Sequence, residues 1–195
     1  MLKKAYTNHK YLFYSLPSSA VIDEKRDTSN HGEYLCTIWR PSMTTVIPSG
    51  VVPIPFAMWW LFHTIQVFSN NDYSLCLIYH QHTVIHRTGV FPRYFRFPFM
   101  AQVDLQLGDL WTHPDYRSRG LATIAIKRVI NEFASTGRRF WYVTDEDNSA
   151  SIHVIEKAGF IRSGEGTRTK RLGVSLLGSY VLNEARLNEN DQKNS

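Results

Sequence analysis

The part of the sequence that most restricts the fold is residues 101–134, where the hydrophobic period changes across one short loop. In "AQVDLQLGDLWT", Val103, Leu105, Leu107, Asp109 and Trp111 alternate with Asp104, Gln106, Gly108 and Leu110, the two-residue period of a strand. His113-Pro114 ends that run. From Gly120 onward Leu121, Ile124, Ala125, Val129, Phe133 and Ala134 share one face at the 3.6-residue period of a helix, and Lys127, Arg128 and Glu132 lie largely outside it. A strand feeding directly into an amphipathic helix calls for a sheet with a helical layer on it, so the chain is expected to be α/β.

Other segments extend this pattern. "EYLCTIWR" reads as a strand, "YSLCLIYHQHTVIHRTGV" as two strands joined at His80 to His82, and "RRFWYVTDEDN" as a strand with its exit loop. A helix is expected from about Ser149 to Lys157, closed at Ala158-Gly159, with two more strands within "FIRSGEG" and "RLGVSLLGSYVLN". Residues 1–32 show no clear period and contain the polar run "DEKRDTSNHGE", which predicts a loose N-terminal segment. The domain is therefore expected over residues 33–185, with residues 186–195 as a disordered tail. There is no internal repeat and no sign of a second core; 195 residues at 43% hydrophobic suffice for one domain with a sizeable interior.

Between Arg40 and Asp72 no Asp, Glu, Lys or Arg occurs, and "VVPIPFAMWWLFHTIQVF" approaches the length of a membrane span. Pro53 and Pro55 are expected to break its first part, and His63, Thr64 and Gln66 punctuate the rest, leaving a helix over about residues 56–68 that is too short to cross a bilayer. A buried or groove-lining helix is the expectation, with peripheral membrane contact through Trp59, Trp60 and Phe62 as the alternative. The basic start "MLKKAYTNHK" runs into "YLFYSLPSSA" without a sustained apolar core, so no signal peptide is expected. Cys36 and Cys76 are far apart and form no CxxC pair, which argues against a disulfide framework or zinc site and fits a reducing cytoplasm. His80, His82 and His86 alternate along a hairpin without supporting Cys or carboxylate residues, so no metal is expected.

The loop before the helix carries the strongest functional signal. A helix start presents N–H groups without internal partners and the positive end of the dipole, and a glycine there lets an anion approach the backbone. Arg117, Ser118, Arg119, Gly120 and Leu121 suit such a cradle for a phosphate, and the net charge of +5 permits an anionic partner. Spacing alone leaves a second reading open, a plain helix start with solvated arginines. GxGxxG and GxxxxGK are both absent, which removes dinucleotides and nucleoside triphosphates as the favoured ligands.

Arg117-x-x-Gly120-x-Ala122 after "LWTHP", followed by "NSASIHVIEKAGF", resembles the two ordered motifs of the GCN5-related N-acetyltransferase superfamily. The resemblance covers about residues 103–165. It implies a single-domain mixed, mostly antiparallel sheet flanked by helices and splayed between the family's fourth and fifth strands. It also implies acetyl-CoA, or another acyl-CoA, as cosubstrate. By position, Arg117, Ser118, Arg119, Gly120, Leu121, Ala122 and Thr123 would hold the pyrophosphate. Leu110, Trp111 and Thr112 would bond the pantetheine arm and the thioester carbonyl through their backbone, where a fixed N–H stabilises developing negative charge. Asn148 would reach the pantetheine and Ser151 would pack along it. The family's usual tyrosine, four residues before the glycine of GF, is here Ile155, so the acid is not assigned by the motif.

Deprotonating the attacking amine calls for a base. Asp104 is the first candidate, His86 the second and His113 the third. "GVFPRYFRFPFM" interleaves Phe91, Tyr94, Phe95, Phe97 and Phe99 with Arg93 and Arg96, which suits either core packing or an acceptor with a sugar-like face and a phosphate. The same composition would suit single-stranded nucleic acid, but no nucleic-acid partner is expected. "WWLFHTI", "YFRFPFM" and "DLQLGDLWTHPDYR" more loosely resemble acetyltransferase-like proteins of bacterial surface-polysaccharide synthesis, which implies an amino sugar on a nucleotide carrier as acceptor. A protein, peptide or small-amine acceptor, and a non-catalytic acyl-CoA-binding module, are the alternatives.

Overall fold

The computed structural model describes residues 9–18, 33–42, 48, 53–170 and 178–184. In chain order these form β1 (Tyr11–Pro17), β2 (Tyr34–Trp39), α1 (Pro53–Thr64), β3 (Ser74–His80), β4 (Thr83–Pro92), β5 (Leu105–Thr112), a 3-10 turn (Pro114–Tyr116), α2 (Leu121–Phe133), β6 (Arg139–Asp145), α3 (Ser149–Lys157), β7 (Ile161–Arg168) and β8 (Tyr180–Glu184). The strands make one sheet in the order β2-β3-β4-β5-β6-β1-β7-β8. Every neighbouring pair is antiparallel except β5 and β6. That exception follows from the connection: α2 carries the chain back across the sheet, so the next strand enters in the same direction.

Alternation along each strand divides the side chains between two apolar layers. On one face Leu121, Ala125, Ile126, Val129, Ile130 and Phe133 of α2, with Ile155 and Ala158 at α3, pack over Leu12, Tyr14, Ile85, Leu105, Leu107, Phe140 and Tyr142. The other face is covered by α1 and the segment after β4, where Trp59, Phe62, Phe68, Tyr94, Phe97 and Met100 pack on Tyr73, Phe91 and Trp141. The aromatic residues of 91–99 are thus mainly core: the Trp59 and Phe91 rings meet edge to face at 5.0 Å, and Phe97 stacks on Tyr180 at 5.5 Å.

Three expectations need correction. Residues 11–17 are not part of a loose segment but β1, paired to β6 on one side and β7 on the other, so the domain begins before residue 33. "LFYSL" lacks alternation because both faces of this inner strand are covered, and five consecutive residues are buried. Pro53 and Pro55 do not precede the helix; they lie in its first turn, where a missing N–H breaks no internal bond, and the helix ends at Thr64. Trp59 and Phe62 pack on the aromatic layer, as expected of a buried or groove-lining helix. Among the described residues no helix is long and apolar enough to cross a membrane. The expected tail, 186–195, lies outside the described residues.

Candidate active site

The site is built where β5 leaves β6. Their parallel ladder holds only Leu105 to Phe140, Gln106 to Trp141 and Leu107 to Tyr142. Beyond Leu107 the two strands diverge, leaving one edge of β5 without a ladder partner.

A bulge drives the divergence. Arg87 faces Trp111 and Gly89 faces Gly108, so Thr88 alone stands opposite Asp109 and Leu110. Asp109 takes the extra position with φ of 48°, a left-handed conformation that Asp tolerates better than most residues. Its carboxylate accepts from Nε and Nη2 of Arg87 at 3.1 and 3.3 Å, and the same guanidinium lies 5.3 Å from the Trp111 ring. The bulge therefore bends β5 at the point where Leu110, Trp111 and Thr112 begin to line the gap, each half-buried.

The loop from β5 into α2 then forms an open helix start, a shape suited to an anion. Ser118 and Gly120 are both left-handed, at φ 60° and 75°, and Gly120 caps α2 without any side-chain acceptor for the first-turn N–H groups. A Cβ placed on Gly120 would meet nothing within 4 Å, so the space before those amides is open to a ligand. Leu121 is buried and anchors the helix start, with Ala122 and Thr123 half-buried behind it. Such a cradle, with its dipole and open approach, fits a pyrophosphate. The two arginines differ in role. Arg117 is exposed, with Nε donating to the Thr112 carbonyl at 3.4 Å. Arg119 donates to the Tyr34 hydroxyl and the Asp115 carbonyl, both at 3.1 Å, and lies over Tyr116. It ties the cradle to β2.

Across the gap, Asn148 caps α3, its Oδ1 accepting from Ser151 N–H at 3.1 Å. Ser151 stands half-buried in the first turn of α3. Asn148 and Ser151 open α3 directly after β6, the strand from which β5 diverges.

The three candidate bases, Asp104, His86 and His113, are each engaged with other partners. Asp104 lies before β5, at the closed end of the gap, and is almost fully buried. Its Oδ2 accepts from Ala101 N–H and Trp141 Nε1–H, and its Oδ1 from Arg139 N–H, all at 2.9 Å. It brackets the turn to β6. His86 is fully buried on β4, with Nδ1 2.8 Å from the Thr112 hydroxyl and Nε2 2.8 Å from the Thr88 hydroxyl. Burial, assisted by the neighbouring Arg87 charge, pushes its pKa down to about 4, so it is neutral at physiological pH. His113 Nδ1 accepts from Asp115 N–H at 3.4 Å as the cap of the 3-10 turn. Among the described residues no three His, Cys, Asp or Glu side chains converge as a metal site would require.

Sequence reasoning missed the Arg87–Asp109 clamp, because nothing local signals that Asp109 occupies a bulge.

With this geometry, the chain belongs to the acetyltransferase (GNAT) family, whose model matches residues 33–160. The family uses acetyl-CoA as cosubstrate. No curated protein sequence matches the chain. The fold is similar to a putative GNAT-family acetyltransferase from Novosphingobium aromaticivorans (TM-score 0.54, 16% identity, 85% of this chain and 66% of that one). It is also similar to a GCN5-related N-acetyltransferase from Sphaerobacter thermophilus (0.54, 13%, 89% and 56%) and a GNAT-family acetyltransferase from Colwellia psychrerythraea (0.50, 13%, 83% and 55%). The chain spans between half and two thirds of the length of these structures.

Proposed function

We propose that this chain is an acyl-CoA-dependent N-acyltransferase that moves an acyl group, acetyl in the simplest case, from a thioester to a primary amine. The observation that carries the reading is the gap opened after Leu107 and Tyr142, with the cradle of Ser118 to Thr123 at its outer end. Acyl-CoA supplies the activated acyl group. The chain's residues would bind and orient it: the cradle amides and Arg117 hold the pyrophosphate, and the unpaired edge of Leu110 to Thr112 bonds the pantetheine arm and polarises the acyl carbonyl. The Asn148 side-chain NH2, unlike its capping oxygen, is left to donate toward the arm. Since Asp104 is spent on three donors and both ring nitrogens of buried His86 are hydrogen-bonded, the amine proton leaves by way of water.

The acceptor we favour is an amino sugar on a nucleotide carrier. Support comes from the face opposite α2 and α3. Arg168 lies 5.2 Å from the ring of its register partner Tyr180, and Arg96 lies 5.9 and 6.0 Å from the Trp59 and Tyr94 rings. Both guanidiniums act electrostatically on Tyr94 and on Tyr180, which places the two cations in one aromatic surrounding. They stand near the strand ends where Tyr11 pairs with Asp145 and with Gly166, the end toward which the gap opens. Arg96 and Arg168, each with further partners of its own, would add positive potential to the surroundings of a diphosphate.

Isothermal titration with acetyl-CoA tests the first statement, and a heat trace without saturable binding would overturn it. Thiol release with a nucleotide-linked amino sugar, the same sugar unlinked, and a peptide amine tests the second. Release with the linked sugar alone is the expected result; release with the peptide alone would refute the acceptor assignment.

A further inference from the structure

We propose that Cys36 and Cys76 form a modification site at which a hydroperoxide oxidises the two thiols to a reversible disulfide, Cys36 being the first to react. The inference stands apart from the acyltransferase reading. These are the chain's two cysteines, and both are free thiols. They are 40 positions apart in sequence, yet their sulfurs lie 3.6 Å from each other.

The β2–β3 ladder makes the pair. Cys36 stands opposite Ile78 and Cys76 opposite Ile38, so the two cysteines share one face and lie on a diagonal of the antiparallel register. That face packs in the layer of Ile78, Ile85 and Val129, under α2. The two thiols differ in access. Cys76 is fully buried, whereas Cys36 is half-buried on β2, the edge strand of the sheet. A small peroxide therefore meets Cys36 first. Cα atoms on such a diagonal are usually about 7–8 Å apart, whereas a disulfide usually spans about 4.4–6.8 Å. Closure thus draws β2 toward β3 by about an ångström, a movement open to a strand that is paired on one side only among the described residues. A bond formed across that diagonal is strained and readily reduced, unlike a structural disulfide.

Each sulfur has its own part in the oxidation. The hydrogen bond with Cys76 holds the Cys36 thiol below its ordinary pKa against the opposing effect of burial, and the Arg128 charge of α2 adds to the lowering. Cys76 is pushed up by the same hydrogen bond and by burial. Cys36 is therefore the thiolate that attacks. Its sulfur bonds to one peroxide oxygen, the O–O bond breaks, and the second oxygen leaves with the electron pair and is protonated by water; Cys36 becomes a sulfenic acid. The Cys76 sulfur then attacks the Cys36 sulfur. The S–S bond forms, the S–O bond breaks, and the departing hydroxyl takes up the Cys76 proton as water. The thiols lose two electrons and the peroxide gains them.

Intact-mass spectrometry of the native protein after treatment with a small excess of hydrogen peroxide tests the site. The expected product has lost the mass of two hydrogen atoms, gives a peptide linked through Cys36 and Cys76 on digestion, and returns to the parent mass with dithiothreitol. Cys76→Ala should instead accumulate a Cys36 sulfenic acid that dimedone traps. Cys36→Ala should react at least about tenfold more slowly, because the remaining thiol is buried. Circular dichroism shows whether each variant is folded, and the parent's own product decides the proposal if either is not. A parent that keeps both thiols, or that passes to sulfinic and sulfonic acids without the linked peptide, overturns it. So does a folded Cys36→Ala protein that is oxidised as fast as the parent.

Discussion

Replacing Asp104 separates a structural carboxylate from a catalytic one. Its Oδ2 receives two donors and its Oδ1 one. In Asp104→Asn the least costly placement keeps the amide oxygen at the Oδ2 position, which satisfies Ala101 N–H and Trp141 Nε1–H. The amide NH2 then faces Arg139 N–H, donor against donor. One unsatisfied donor in a largely buried place costs about 2 kcal/mol, within the usual range of about 1–3 kcal/mol. Asp104→Ala strands all three donors; because such losses are not additive, about 3–5 kcal/mol is the expected total. For a chain of this size each kcal/mol moves Tm by about 2–4 °C, so Asn should lower it by about 4–8 °C and Ala by about 6–20 °C. Thermal unfolding followed by circular dichroism gives the shifts. The kcat/KM per folded molecule, with acetyl-CoA and whichever amine proves active, should stay within about twofold for Asn, whereas loss of a general base typically costs about 10²-fold or more. An Asp104→Asn protein that melts like the parent but has lost about 10²-fold in kcat/KM would refute the structural assignment.

Gly120→Glu should abolish acetyl-CoA binding in calorimetry, since its carboxylate would enter the open space before the amides; Arg117→Ala should weaken binding by about tenfold, because the backbone cradle survives. Equal losses in the two variants would contradict that ranking. His86 predicts a pH effect on stability. Its folded pKa of about 4 lies below the ordinary value of 6.5, so between these pH values the unfolded chain binds a proton that the native protein excludes. Its contribution is intact above pH 6.5 and is lost as pH falls toward 4, by about 2–3 kcal/mol between pH 7 and pH 4.5. Urea unfolding should show a flatter acid limb in His86→Gln than in the parent, and superimposable limbs would contradict the buried neutral ring.

Local periodicity determined a good part of this protein. The β3–β4 hairpin turns at Gln81 and His82 between strands ending at His80 and starting at Thr83, close to the turn the sequence predicts. α2 and α3 begin beside Gly120 and Asn148, as their capping residues and hydrophobic period indicate. The open helix start at Gly120 was legible for the same reason: it is made by consecutive residues, so its motif survives in one dimension. β1 was hidden because an inner strand covered on both faces has no alternation to display.

What only the tertiary structure decided depends on partners distant in sequence. Asp104 and His86 have residue types fit for a base, but Trp141 and Arg139 occupy the first, while burial with Thr88 and Thr112 holds the second neutral. The ladder between β5 and β6 ends at Leu107 and Tyr142 because a single extra residue at Asp109, clamped by Arg87 from the neighbouring strand, bends β5 away. A residue's chemistry is written in its side chain, but its protonation, its spare hydrogen-bonding capacity and its access to a gap are set by atoms brought beside it from far along the chain, which no local pattern records.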